Sequence, residues 1–99
     1  RKVDFEYDGE MGVDVALDMS LRKNYPFCRL SGPANILIMP GLHAANISYK
    51  LLQAVGGGTI IGPMLLGLEK PVQIVQMNAT VNDLVQAAAI AAHDTILND

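Results

Sequence analysis

The run Ala34-Asn35-Ile36-Leu37-Ile38-Met39 constrains this chain more than any other segment. It has the length of one β-strand, and apolar side chains fall on both of its sides, which suits a parallel strand covered on both faces. Pro40-Gly41 breaks it. A helical pattern follows from about His43 to Val55, with Ala44, Ile47, Leu51, Leu52 and Val55 at core spacing. Gly56-Gly57-Gly58 ends that helix, where a glycine can take the left-handed cap conformation.

The flanking segments extend the same alternation. Val3, Phe5 and Tyr7 alternate with Asp4, Glu6 and Asp8, the period of a strand with one buried face, and Asp8-Gly9 marks a turn. From about Met11 to Asn24, Val13, Ala16, Leu17 and Leu21 recur at helical spacing. Arg22 and Lys23 suit the negative end of that helix, and Pro26 stops it. Thr59-Ile60-Ile61 reads as a strand, Gly62-Pro63 as a kink, Met64 to Leu68 as a short apolar continuation, and Val72 to Val75 as another extended segment. Thr80 with Asp83 forms a capping box. It opens a last helix whose apolar stripe is Val81, Leu84, Val85, Ala88, Ala91, Ala92 and Ile96.

Strands alternating with helices predict an α/β fold, a parallel sheet with flanking helices and right-handed crossovers. The pieces are too few to close both faces of a large sheet, so its remainder is expected upstream. Arg1-Lys2-Val3 opens without methionine and runs straight into a strand pattern, which reads as a cut inside a longer protein.

Composition narrows the classes. Apolar residues make up 51% and charged residues 17%, an excess that predicts surface covered by another subunit or by further segments. The net charge of −3 with no basic cluster beyond Arg22-Lys23 gives no nucleic-acid footprint. Cys28 is the only cysteine, which excludes an internal disulfide and points to a reducing compartment. Pro40, His43, Lys50 and Asp94 interrupt every apolar stretch below membrane-span length. The start lacks a signal-peptide layout, so the expected location is the cytoplasm.

Few motifs carry chemistry by residue type. Gly56-Gly57-Gly58-Thr59-Ile60-Ile61-Gly62 fails as a dinucleotide fingerprint, which needs glycine at Ile61, and as a phosphate loop, which needs lysine at Pro63. The turn Pro40-Gly41-Leu42 sits where open α/β sheets collect ligands, and His43, Asn46, Tyr49 and Lys50 follow it. A solvated helix start explains the same residues. His43 and His93 stand far apart without partners at metal-ligand spacing. Cys28 lacks a histidine or helix start that would activate it. Asp83 has a plain role in the capping box.

In order along the chain, Asp8-Gly9 with Asp14 and Ala16, then Ala34-Asn35-Ile36-Leu37-Ile38, then Pro40-x-Leu42 with Asn46-Ile47-x-Tyr49-Lys50 form one set. Ile61-Gly62-Pro63, Gly67-Leu68-x-Lys70-Pro71-Val72 and Val81-x-Asp83 complete it. This set resembles the carboxy-terminal part of the phosphotransacetylase (phosphate acetyl- and butyryltransferase) family, over nearly the whole chain. The resemblance implies a two-domain, isocitrate dehydrogenase-like α/β fold with an active cleft between the domains. It also implies that Asn46, Tyr49, Lys50 and Asp83 face a ligand, Asp83 matching the catalytic aspartate. Active members carry a serine-arginine pair where Gln76 and Met77 stand, and a further arginine where Ala54 stands. Arginine forks stabilise the charge that develops in acyl transfer to phosphate, and methionine or alanine cannot. No catalytic residue is therefore assigned in this chain.

Phe5-Glu6-Tyr7-Asp8-Gly9-Glu10-Met11, Tyr25-Pro26-Phe27, Arg29 to Asn35, Met39 to His43, Gly56 to Thr59 and Ala79-Thr80-Val81 look like one branch of that family. In this branch the domain is fused behind the malic enzyme domains of large bacterial NADP-dependent malic enzymes. That likeness implies a degenerate module that binds acetyl-CoA as an effector and helps build a homo-oligomer. Malate oxidation, NADP and a divalent metal would belong to upstream domains, with no cofactor held by these residues. A fragment of an active phosphate acetyltransferase and a pure dimerisation scaffold are the alternatives.

Overall fold

Gly12 caps the first helix from an extended conformation, and the Ala16 amide donates to its carbonyl at 3.0 Å. The structure, a computed structural model, describes residues 2–98. Helix α1 is short, Val13–Leu17, and Val15 and Ala16 are its buried residues. One continuous helix over 11–24 was the expectation. The chain instead leaves the helix at Asp18, whose carboxylate accepts from the Ser20 amide at 2.8 Å, and resumes as a 3₁₀ turn at Leu21–Asn24. Aspartate competes for the backbone in this way and so favours helix ends over interiors.

The two remaining helices are α2, Leu42–Val55, and α3, Val81–Asn98. The Leu52 carbonyl accepts from the Gly56 amide at 2.7 Å, and Gly57 follows at φ +64°. A Cβ on Gly56 would stand 2.6 Å from that carbonyl oxygen, so α2 ends where the glycines permit it.

The expected parallel sheet is absent: among the described residues there are three α-helices, one 3₁₀ turn and no strand. The α/β expectation is therefore corrected to a helical chain with long connections that form no regular element. A strand exists only through a neighbour that takes its N–H and C=O groups. Residues 34–39 form no regular element, Ile36 is 73% and Ile38 89% exposed, and the Ala34 amide donates to Ala16 of α1, not to a strand. The one ladder-like contact is an isolated bridge between Met64 and Gln73, and it is antiparallel.

The residues group into two compact units, one running through Asn46 and one starting at Ile47. In the first, Arg22 occupies the centre and is buried. Its guanidinium donates to the carbonyls of Val15 and Ala16 at the end of α1 and to those of Leu30 and Gly32, and it touches the Met19 sulfur at 3.1 Å. The five donors of a planar guanidinium suit such convergence. Val3, Phe5 and Tyr7 remain exposed. The segment is instead held by its acidic side: Glu6 accepts from the Ser31 amide and hydroxyl at 2.8 and 2.9 Å, and Asp8 accepts from the Arg29 amide at 2.7 Å. These bonds hold both carboxyls below their ordinary pKa.

Neither long helix buries the large aliphatics of its apolar stripe. In α2, Ala44, Ala45, Ser48 and Tyr49 are half-buried, whereas Leu42, Ile47, Leu51, Leu52 and Val55 are exposed. In α3, Gln86, Ala87, Ile90, Ala91 and Asp94 are half-buried, whereas Val81, Leu84, Val85 and Ile96 are exposed. The expected burial of those aliphatics is thus corrected. No helix of the described residues is long and apolar enough to cross a membrane.

Candidate functional site

Helical spacing puts Tyr49, Lys50 and Gln53 of α2 on one side, and Asp83, Gln86, Ala87 and Ile90 of α3 on another. Together with the turn Ile61-Gly62-Pro63 and the stretches Gln73 to Gln76 and Asn78 to Thr80 they line a cavity of about 380 Å³, built wholly from residues after Ile47. That volume lies within the range of small-molecule sites. Gly62 adopts φ +128°, which a side chain disfavours, and its turn forms part of the wall.

The polar groups of the wall are linked. The Gln76 amide donates to the Tyr49 hydroxyl at 3.0 Å, and the Lys50 ammonium lies 5.3 Å from the centre of the Tyr49 ring. Lys50 and Asp83 are the two charged lining residues. Gln73 also lines the cavity, and its Nε2 is buried without a hydrogen-bond partner among the described residues.

Three of the four residues expected to face a ligand, Tyr49, Lys50 and Asp83, line this cavity, and Asn46 does not. Gln76 lines it, whereas Ala54 and Met77 do not, and Met77 is fully exposed. His43 is also outside the lining. Gln53, Gln73 and Gln86 were not singled out from sequence. Gln53 lies three residues after Lys50 and Gln86 three after Asp83, so helical spacing carries a signal for both, while Gln73 sits in an extended segment with none.

Asp83 also performs the capping role. Its carboxylate accepts from the Thr80 amide and hydroxyl, both at 2.8 Å, and the Asp83 amide donates to the Thr80 hydroxyl at 3.2 Å. These bonds to Thr80 hold the carboxyl below its ordinary value of 3.8, which makes it a weaker base. A depressed folded-state pKa stabilises the fold fully above the ordinary value, and that contribution is lost as pH falls through the folded value. The protection factor of the Thr80 amide, read by NMR hydrogen exchange against the intrinsic rate at each pH, is accordingly expected to fall as pH drops through and below the ordinary carboxylate range. A protection factor that stays constant on acidification contradicts the cap.

The pattern describing the phosphate acetyl/butaryl transferase family covers residues 1–92. The chain belongs to that family. Within it, the chain is 61% identical over 94 residues to an NADP-dependent malic enzyme of Rhizobium meliloti, covering 95% of this chain and 12% of that protein. A probable NADP-dependent malic enzyme of Rickettsia prowazekii is 57% identical over 95 residues, 96% of this chain and 12% of that protein. A phosphate acetyltransferase of Paracoccus denitrificans is 42% identical over 91 residues, 91% of this chain and 29% of that protein. The chain thus spans about an eighth of the length of the malic enzymes it matches. No solved structure matches. Among the described residues no three His, Cys, Asp or Glu side chains converge.

Proposed function

We propose that this chain is a catalytically degenerate acetyl-CoA-binding and assembly module of an NADP-dependent malic enzyme. The observation that carries the reading is the cavity after Ile47, which gathers Tyr49, Lys50, Asp83 and the Ile61-Gly62-Pro63 turn. The arginine positions of active transferases, Ala54 and Met77, hold no cation at all. A cavity that retains one cation and loses the charge clamp suits ligand binding better than acyl transfer. Malate oxidation, NADP and a metal would lie in other segments of the enzyme.

Regulation requires that acetyl-CoA bind one conformation of the enzyme better than another, and a coupling of about 1–3 kcal/mol suffices. Lys50 meets the ligand's negative charge, and Asp83 lies near its thioester end. In the full-length enzyme, acetyl-CoA is expected to change malate turnover and raise the melting temperature. Lys50→Ala should weaken that response about tenfold. A parent enzyme whose turnover and melting ignore acetyl-CoA sinks the effector reading.

The exposed aliphatics of α2 and α3 favour assembly as a second role. The accessible surface is 8590 Å², against roughly 6,600 Å² for two separate folded bodies of half the chain's mass. The excess is of interface size. Light scattering on the same enzyme should give a mass above one protomer, and a stable monomer removes this half of the proposal.

A further inference from the structure

Arg22 is buried among backbone carbonyls, and one of its contacts is chemically unlike the rest. Its Nη1 donates to the Gly32 carbonyl at 2.6 Å and to the Leu30 carbonyl at 3.3 Å, and it reaches the Met19 sulfur at 3.1 Å. A guanidinium Nη carries two protons, so these acceptors share them. The thioether is the weakest acceptor of the set, and the Leu30 bond is the longest. Met19 is 44% exposed, in the link between α1 and the 3₁₀ turn, so a small oxidant reaches its side chain.

Oxidation changes the character of that contact. A sulfoxide is polar where the thioether is not, and its oxygen accepts a charge-assisted hydrogen bond from a guanidinium. The bond most open to exchange is the long one to Leu30. Leu30 lies inside the stretch that fastens the amino-terminal segment, since the Arg29 amide donates to Asp8 at 2.7 Å and the Ser31 amide donates to Glu6 at 2.8 Å. All of these residues belong to the first unit.

We propose that Met19 is a redox-sensitive contact whose oxidation by a peroxide draws Arg22 away from Leu30 and loosens the hold of Arg29 and Ser31 on Asp8 and Glu6. The sulfur gives an electron pair to one peroxide oxygen, the O–O bond breaks and an S–O bond forms. With hydrogen peroxide the second oxygen leaves as water, so sulfur is oxidised by the two electrons that reduce the peroxide. The step is undone by methionine sulfoxide reductases, which makes the contact a switch.

The test treats the full-length enzyme with hydrogen peroxide and follows it by peptide mass mapping and hydrogen exchange. Met77, which is fully exposed, serves as the internal standard for oxidation. Sulfoxide should form at Met19, and amide exchange in the peptide covering residues 28–33 should then quicken about tenfold, the worth of one such bond. A methionine sulfoxide reductase should restore the original rate. Met19→Leu keeps the apolar bulk without an oxidisable sulfur, and its exchange should match the untreated parent before and after peroxide. If Met19 stays unmodified when Met77 is fully oxidised, or if its sulfoxide leaves exchange at 28–33 unchanged, the proposal is overturned. Quickened exchange in peroxide-treated Met19→Leu overturns it equally, because another sulfur such as Cys28 then carries the response.

Discussion

Replacing Arg22 with methionine is expected to cost about 2–4 kcal/mol of stability, among the larger effects of any single substitution. Arg22 is 7% exposed, and its guanidinium ties together four carbonyls from two stretches of chain, Val15-Ala16 and Leu30 to Gly32. Methionine keeps much of the length and apolar stem but donates nothing, so those carbonyls lose their partner in a place that water reaches poorly. Lysine should rescue little, since a single ammonium cannot span the fork geometry. For a body of this size the loss corresponds to a melting shift of roughly 10 °C or more. Scanning calorimetry that places Arg22→Met within about 2 °C of the parent would show that the carbonyls find other donors.

Acetyl phosphate synthesis from acetyl-CoA and phosphate is expected to be at least about 10⁴-fold slower in the full-length protein than in an active phosphate acetyltransferase. Loss of one preorganised donor to a developing oxyanion lowers rate by about 10²–10³. On the resemblance to active members, the positions of their serine and both arginines fall at Gln76, Met77 and Ala54, none of which carries a charge. The carboxylate that remains is engaged with Thr80 and depressed in pKa, which weakens it further as a base. A coupled assay run beside the Paracoccus denitrificans relative measures the difference directly. Rates within tenfold of that enzyme would return Asp83 to a catalytic role.

How much of this was legible in the sequence depends on whether a signal was local. Helix ends were local: Pro40-Gly41 before α2, the glycines after it and the Thr80–Asp83 box before α3 all lie where the residues put them. The runs at 34–39 and 72–75 have strand-like sequences, but pairing is not a property of one segment, and among the described residues no strand lies beside them. Alternation at Val3, Phe5 and Tyr7 was read as a buried apolar face, whereas specific hydrogen bonds from Ser31 and Arg29 draw in Glu6 and Asp8. Arg22 was read as a helix-end cation, and it does serve the carbonyls at the end of α1. Its reach to Leu30 and Gly32 depends on a chain reversal that no periodicity encodes. At the cavity, Tyr49, Lys50 and Asp83 were named from a resemblance, and Gln73 carried no signal until the fold buried it.

The outward set of the aliphatics on α2 and α3 changes how substitutions in this chain should be interpreted. Accessibility is the usual guide to which positions tolerate change, and by that guide Leu51, Leu52, Leu84 and Val85 are free to vary. Their chemistry is that of a core, and a polar replacement there leaves the fold of the separate chain nearly untouched. On the assembly role proposed above, the damage surfaces only when the protein meets its partner. Variants at these four positions are then expected to melt like the parent chain while lowering the mass of the full-length enzyme in light scattering.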